Sequence, residues 1–332
     1  LHGTARIIAP TQKISRPRLS TPHIQIFDPE ARFHALLEKT QSLEPVFCAV
    51  VHPCDKESLA GAVDSAIAGL IKPILIGPAK KILSTASAAA IDISPYELID
   101  VPHSHAAADK AADLAVERKV EMMMKGSLHT DELLHAILAR PQLRTGRRMS
   151  HVFRFDIPMY SKPLLVTDAA LNIHPTLMEK VDIIQNAIDF SVIMGVTNPK
   201  VAILSAVETV NPDIPSTIEA AALCKMAQRG QIKGGILDGP LAFDNAISTH
   251  AAQIKGIDSP VAGEADILNV PDLESGNMLA KQLEYFAGAS GAGLVLGSKI
   301  PVALTSRADS ARTRVASAIL GLLVAHAHRQ KS

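Results

Sequence analysis

The sequence predicts an α/β fold of two doubly wound αβα domains, and three observations carry that reading. From Ala31 to the C-terminus, short apolar runs alternate with amphipathic segments of helical length, the pattern of a parallel sheet covered by helices on both faces. Hydrophobic residues make up 47% of the chain but aromatics only 3%, with no Trp. The core must then be built from Ala, Leu, Ile and Val, the usual material of buried parallel strands. Midway, a basic loop containing Gly146 (residues 141–150) breaks the rhythm and divides two blocks. At 332 residues the chain is long enough for two cores.

The elements follow in order. Residues 46–51 (VFCAVV) read as a buried strand and 55–70 as a helix capped by Asp55. Residues 71–76 are strand-like, with Pro73 placed early or near an edge. Gly77-Pro78 ends that strand, and 79–90 return to helical spacing. Then come a short strand at 98–101, an Ala-rich helix at 104–119 and a strand at 120–124 (VEMMM). A helix at 130–140 has Thr130 as its cap, with Asp131 and Glu132 favouring its positive end.

In the second block two strands, 151–157 and 163–167, stand close together. A long helix at 176–194, a strand at 201–205 and a helix at 216–229 follow, the last opened by Ser216 and Glu219 at the spacing of a capping box. Residues 236–238, 265–270, 293–295 and 300–304 read as strands, and 243–254, 278–287 and 308–328 as helices. The Gly-rich stretch 288–297 (GASGAGLVLG) precedes a strand instead of joining a strand to a helix. It therefore fails as a dinucleotide loop and reads as a turn.

Composition narrows the function. Lys plus Arg and Asp plus Glu are both 33, so no cationic excess marks a nucleic-acid binder. No apolar run reaches the roughly 18 residues that span a bilayer, and no secretory signal is evident. Cys48, Cys54 and Cys224 are odd in number and unclustered, which suggests neither a disulfide framework nor a zinc site but a reduced, cytoplasmic protein. Residues 1–30 differ in character: a short strand-like run is followed by Pro17, Pro22 and Pro29. They read as a linker, left either by a cleaved leader or by an upstream domain.

Ligands of doubly wound sheets bind beyond the carboxyl ends of strands, so the strand-to-helix junctions are the places to look. The most informative is 301–313 (PVALTSRADSART), where an apolar strand runs into Ser306-Arg307 and a helix begins almost at once. A helix amino terminus suits phosphate, and Arg307 and Ser306 would add a bidentate donor and a hydroxyl. Ser306, Asp309, Ser310 and Thr313 share one helical face. The plainer alternative is that Ser306 only caps the helix and Asp309 pairs with Arg312 or Thr313.

The Ser-Arg-x-x-Ser junction ahead of a last Ala-rich helix resembles the closing signature of the phosphate acetyl/butyryl transferase family. Residues 237–248 (LDGPLAFDNAIS) and 166–175 (VTDAALNIHP) resemble two further segments of it, in the same order. The Leu-Thr-Ser-Arg-Ala-Asp-Ser wording is closest to the butyryl-type members and to the transferase part of bifunctional enoyl-CoA hydratase/phosphate acetyltransferases. In the latter a hydratase domain precedes the transferase, and residues 1–19 resemble the join.

The resemblance implies an isocitrate/isopropylmalate-dehydrogenase-like pair of αβα domains with the active-site cleft between them. The first domain would hold residues 31–150 plus 298–332, the second 151–297, and the chain would form homodimers. It implies an acyltransferase that moves a short acyl group between CoA and inorganic phosphate. The CoA thiolate would attack an acyl phosphate directly in a ternary complex, with no metal and no tightly bound cofactor. Ser306 matches the serine beside thiol and carbonyl, and Arg307 the phosphate-binding arginine.

Where the acetyl-type family carries a basic aspartate, seven positions after that serine, this chain has Thr313. Asp309 is the candidate replacement, although a thiol of pKa about 8.5 needs only modest help. Arg144 or Arg147 in the basic loop would be a second phosphate clamp. Lys125 and His151 lie at strand ends facing the expected cleft, and Ser310 and Asn172 complete the substrate-binding candidates. Asp168, Asp238 and Asp244 fall in matched motifs and suit loop organisation. Two other readings stay open: a metal- and NAD(P)-dependent dehydrogenase on the related two-domain fold, and a catalytically silent subunit.

Overall fold

The computed structural model describes residues 26–305 and 309–331. The expectations for residues 1–25, and the placement of Ser306 and Arg307, lie outside the described residues. Among the described residues eleven strands form one continuous sheet, ordered β3-β2-β1-β4-β11-β10-β5-β6-β9-β7-β8. The first block comprises β1 (Val46–Val51), β2 (Ile71–Gly77), β3 (Glu97–Asp100) and β4 (Met122–Lys125). All are mutually parallel where they pair, and they are joined by β11 (Val302–Ala303), which adds in parallel to β4. The second block comprises β6 (Leu164–Thr167), β7 (Lys200–Leu204), β8 (Ile236–Leu241) and β9 (Ile267–Asn269), again parallel.

Between the blocks, β5 (Ser150–Asp156) and β10 (Ser290–Leu296) pair antiparallel with each other and with their outer neighbours. Three reversals separate β11 from β6, so the two parallel blocks run in opposite directions. Only the first block therefore delivers its carboxyl ends, Lys125 and Thr305, to the edge where β11 leads toward the last helix.

One face of the sheet is covered by α1 (Pro29–Glu38), α2 (Lys56–Ile67), α6 (Leu177–Ile193) and α11 (Ala311–Lys331), among others. They share a single apolar core that runs through both blocks, from Val50 and Leu59 to Ile184 and Val201. The opposite face carries two separate cores. Ala-rich α4 (Ser104–Val116) and α5 (Thr130–Leu138) cover the first block. Helices α8 (Phe243–Ile247), α9 (Thr249–Ile254) and α10 (Leu273–Tyr285) cover the second. The gap between those two cores forms a crevice on that face. No helix among the described residues is long and apolar enough to cross a membrane.

Several local expectations are corrected. Helix α1 begins inside the segment read as a linker: Asp28 accepts from the Glu30 N–H (2.9 Å) and Pro29 takes the first helical position, where its missing donor costs nothing. Ser216 and Glu219 form no capping box. Helix α7 (Pro215–Gln228) opens on a proline, Ser216 pairs with Ser205, and Glu219 pairs with Lys180. The capping box is at Thr176 and Glu179, opening α6. Thr130 is already inside α5, whose cap position is His129. Residues 243–254 are two helices, divided at Ser248, whose hydroxyl caps the second. Helix α10 starts earlier than expected, capped by Asp272. Glycines 291 and 293 are not turn residues but lie within β10, a longer strand than its apolar run suggested.

Candidate active site

The crevice between α5 and α10 holds about 440 Å³. Its floor is Phe153 of β5 and Leu304–Thr305 at the end of β11; one wall is Lys125, Leu128 and His129, and the other is Asn277, Lys281 and Glu284 of α10. The last three, with Tyr285, recur at four-, seven- and eight-residue spacings, so one helical face carries them all. Asp309 lines the crevice as well. A smaller cavity of about 270 Å³ lies at the same edge, toward α1 and α11, and shares Glu284, Tyr285 and Asp309 with the crevice.

Below the junction lies Arg314, only 1% exposed. Its Nη1 donates to the Thr305 hydroxyl at 2.7 Å and to the Lys125 carbonyl at 3.4 Å, so one guanidinium ties the ends of β4 and β11 together. Burial lowers its proton affinity while Asp55 and Asp309 support its charge. Gly61 of α2 makes room for its stem, since a Cβ there would stand 2.5 Å from Cδ of Arg314. Gly126, next to Lys125, is similarly constrained: a Cβ would stand 2.5 Å from the carbonyl oxygens of Val51 and His52.

The structure brings Lys125 and Asp309 to this crevice, Lys125 being 5% exposed at the tip of β4. Ser310 lines the neighbouring cavity, where its hydroxyl accepts the Thr313 N–H (3.2 Å) in the manner of a cap for α11. His151 is fully buried beneath the floor, edge-on to Phe153 at 4.3 Å. Among the described residues neither ring nitrogen meets full hydrogen-bond geometry. Burial pulls its pKa down to about 4, against the opposing pull of Asp168 and the Leu304 carbonyl. It is a neutral, packed side chain on the same strand face as Phe153, and its full burial corrects the expectation that it faces the cleft.

Asn172 is likewise buried, with Nδ2 donating to Met149 O (3.0 Å) and Asp168 Oδ2 (2.5 Å) and Oδ1 accepting from Arg148 Nε (2.8 Å). Asp168 also accepts the N–H groups of Ala170 and Leu171. These two side chains hold the loop after β6 and leave Asn172 little capacity for a ligand.

Arg144 and Arg147 do not line the crevice. Arg144 donates to the Leu138 carbonyl, Arg147 pairs with Asp189 at 2.6 Å, and both border a separate cavity of about 420 Å³ near Met178 and Asp182. The basic loop turns that way because Thr145 Oγ1 donates to Gly297 O (2.6 Å) and the Lys299 N–H donates to Leu143 O (2.9 Å). Three residues escaped the sequence reading: Lys281 and Glu284, which the amphipathic spacing of α10 could have shown, and Arg314, which carries no local signal. Among the described residues no group of three or more His, Cys, Asp or Glu side chains is arranged to hold a metal ion.

Residues 103–322 match the model of the phosphate acetyl/butaryl transferase family. The chain belongs to that family. It is 57% identical over 300 residues to a phosphate acetyltransferase of Rhizobium meliloti, across 90% of this chain and 95% of that one. It is 41% identical over 294 residues to a phosphate butyryltransferase of Clostridium acetobutylicum, across 88% and 98%. A branched-chain phosphotransacylase from Enterococcus faecalis V583 has the same fold, with a TM-score of 0.74 at 28% identity, over 85% of this chain and 99% of that one. The family member named for acetyl transfer is thus nearer than the one named for butyryl transfer, so the wording of the last motif does not sort the chain by acyl group.

Proposed function

We propose that the chain moves a short acyl group between CoA and inorganic phosphate, acyl-CoA plus phosphate giving acyl phosphate plus CoA. One observation carries the reading: the crevice gathers Lys125, Lys281 and Asp309 around the ends of β4 and β11, next in sequence to Ser306-Arg307. Two cations on opposite walls suit two anionic partners, a phosphoryl group and the charged tail of CoA. Arg307 is read as the phosphate-binding guanidinium, Lys125 as its companion, and Ser306 as the hydroxyl beside sulfur and carbonyl.

No enzyme nucleophile is required. None of the three cysteines lines the crevice, and burial pushes the Cys224 thiol up to about 12, far from a reactive thiolate. CoA and its acyl ester enter as substrates, and no tightly bound cofactor takes part. The chain is read as a cytoplasmic homodimer with domains at 31–150 plus 298–332 and at 151–297. The packing of α11 against α2 and β11 supports that assignment of the last segment.

The test is release of CoA from acetyl-, propionyl- and butyryl-CoA with and without phosphate, with light scattering for the assembly. Phosphate-dependent release is expected. Release independent of phosphate, or none from any of the three, overturns the reading.

A further inference from the structure

Glu284 is a half-buried carboxylate on the α10 wall for which the roles above have no use. We propose that Glu284 is a further catalytic residue of this crevice, the group that takes the thiol proton of CoA as its sulfur attacks the acyl carbonyl. The proposal rests on the acyl-transfer reading of the same site.

Three features of its placement converge. With Asp309 and Tyr285, Glu284 borders both the crevice and the smaller cavity beside it, so the two carboxylates stand in the crevice that Thr305, after β11, also lines. Among the described residues its carboxylate takes part in no hydrogen bond or ion pair, whereas a carboxylate kept for structure is normally engaged. Its position is also built into the sheet: a Cβ on Gly291 would stand 2.9 Å from Oε1 and 3.0 Å from the Phe155 ring. Glycine at that point leaves the carboxylate room to lie over β10.

The charges around it favour the same role. Arg154 on β5 is paired with Asp156, and Arg312 on α11 with Glu30. Lys125 and His129 face it from the far wall. Burial first, and then Asp309, raise its affinity for a proton, while Lys281 on its own helix opposes them. A carboxylate moved up toward the thiol range is a better proton acceptor than an ordinary one. Thr313, on the α11 side of the smaller cavity, has no acid–base capacity at neutral pH and cannot itself take the proton.

The step balances without any further reactant. The S–H bond breaks and its proton goes to a Glu284 oxygen. The sulfur forms the C–S bond, and the C–O bond to phosphate breaks with its electron pair leaving on the phosphate. In the reverse direction the proton returns to the departing thiolate.

The experiment compares wild type, Glu284→Gln and Glu284→Asp with CoA and acetyl phosphate from pH 6 to 9, with melting curves as the folding control. For Glu284→Gln, kcat is expected to fall about a hundredfold at pH 6.5. The deficit should shrink to within about tenfold by pH 9, as the thiol of pKa about 8.5 ionises unaided. Glu284→Asp should keep the acid limb of the profile at reduced rate, and it supplies that readout if the Gln variant does not fold. A loss that is the same at every pH marks a structural role and overturns the proposal, as does an unchanged kcat. A wild type silent with every acyl donor instead removes the acyl-transfer reading itself, and the proposal with it.

Discussion

Replacing Gly293 by alanine should separate the geometry of the crevice floor from its chemistry. Gly293 lies in β10 beside the end of β11, where the Leu304 N–H donates to its carbonyl (3.2 Å) and its own N–H donates to Ser317 Oγ (3.0 Å). An added Cβ would stand 2.5 Å from the Leu304 carbonyl oxygen and 2.7 Å from Nε2 of His151. The first distance is almost an ångström short of the 3.4 Å at which ordinary contact begins. One neighbour is backbone and the other a fully buried ring, so neither can swing aside and the strands themselves must part. Overpacking of this kind costs about 1–3 kcal/mol, a drop of a few degrees in melting temperature. The displaced atoms sit two residues before Ser306, and an ångström of misplacement at a reacting centre costs about a hundredfold in rate. Phosphate-dependent CoA release should therefore show kcat/KM down about a hundredfold in a protein that still melts cooperatively. In Gly291→Ala the nearest atoms are side-chain atoms, Glu284 Oε1 at 2.9 Å and the Phe155 ring at 3.0 Å, with no backbone as close as in Gly293→Ala, so its stability should fall less. Wild-type kcat/KM and melting temperature in Gly293→Ala would refute the reasoning.

Three further outcomes are expected. Arg314→Met keeps the buried stem but removes the link between Thr305 and Lys125; stability should stay within about 1.5 kcal/mol while kcat drops at least about tenfold, read by melting curves and CoA release. Arg144→Ala and Arg147→Ala should leave kcat/KM for phosphate within about twofold, because their partners are Leu138 and Asp189 outside the crevice; a large rise in KM for phosphate in either would reinstate the basic loop as a clamp. His151 has its folded pKa depressed to about 4, below the unfolded value of about 6.5. The unfolded chain therefore binds the proton first, and the stability held above pH 6.5 is lost as the pH falls toward 4, by up to about 3 kcal/mol. Between pH 7 and 5, wild type should lose more stability in urea titrations than His151→Leu; an equal loss would contradict the assignment.

What the sequence disclosed divides along a physical line. Local signals were readable: the apolar run 46–51, the cap at Asp55 and the Ala-rich α4 all formed as expected, because each depends on neighbours within a turn or a strand. The sheet order did not follow from them. The reversal of strand direction through β10 and β5 rests on pairings such as Leu294 with Val152, well over a hundred residues apart, and no window of sequence encodes it. That reversal decides the site. Strand-to-helix junctions were expected to carry the chemistry in both blocks, yet of the two parallel blocks only the first, which includes β4 and β11, brings its carboxyl ends to the edge where β11 ends.

The second block contributes from the face of a helix instead. Lys281 and Glu284 project from α10 across the gap between two cores, toward strand ends that Arg314 holds from below. A residue that acts from a wall needs only the right helical phase, so it leaves no motif; a residue at a strand end needs a turn, and turns do leave motifs. This asymmetry explains why Lys125 and Asp309 were legible and Glu284 was not. It also predicts where substrate preference is tuned: at the exposed α10 positions around Tyr285, where a change alters the crevice wall without disturbing the sheet that forms its floor.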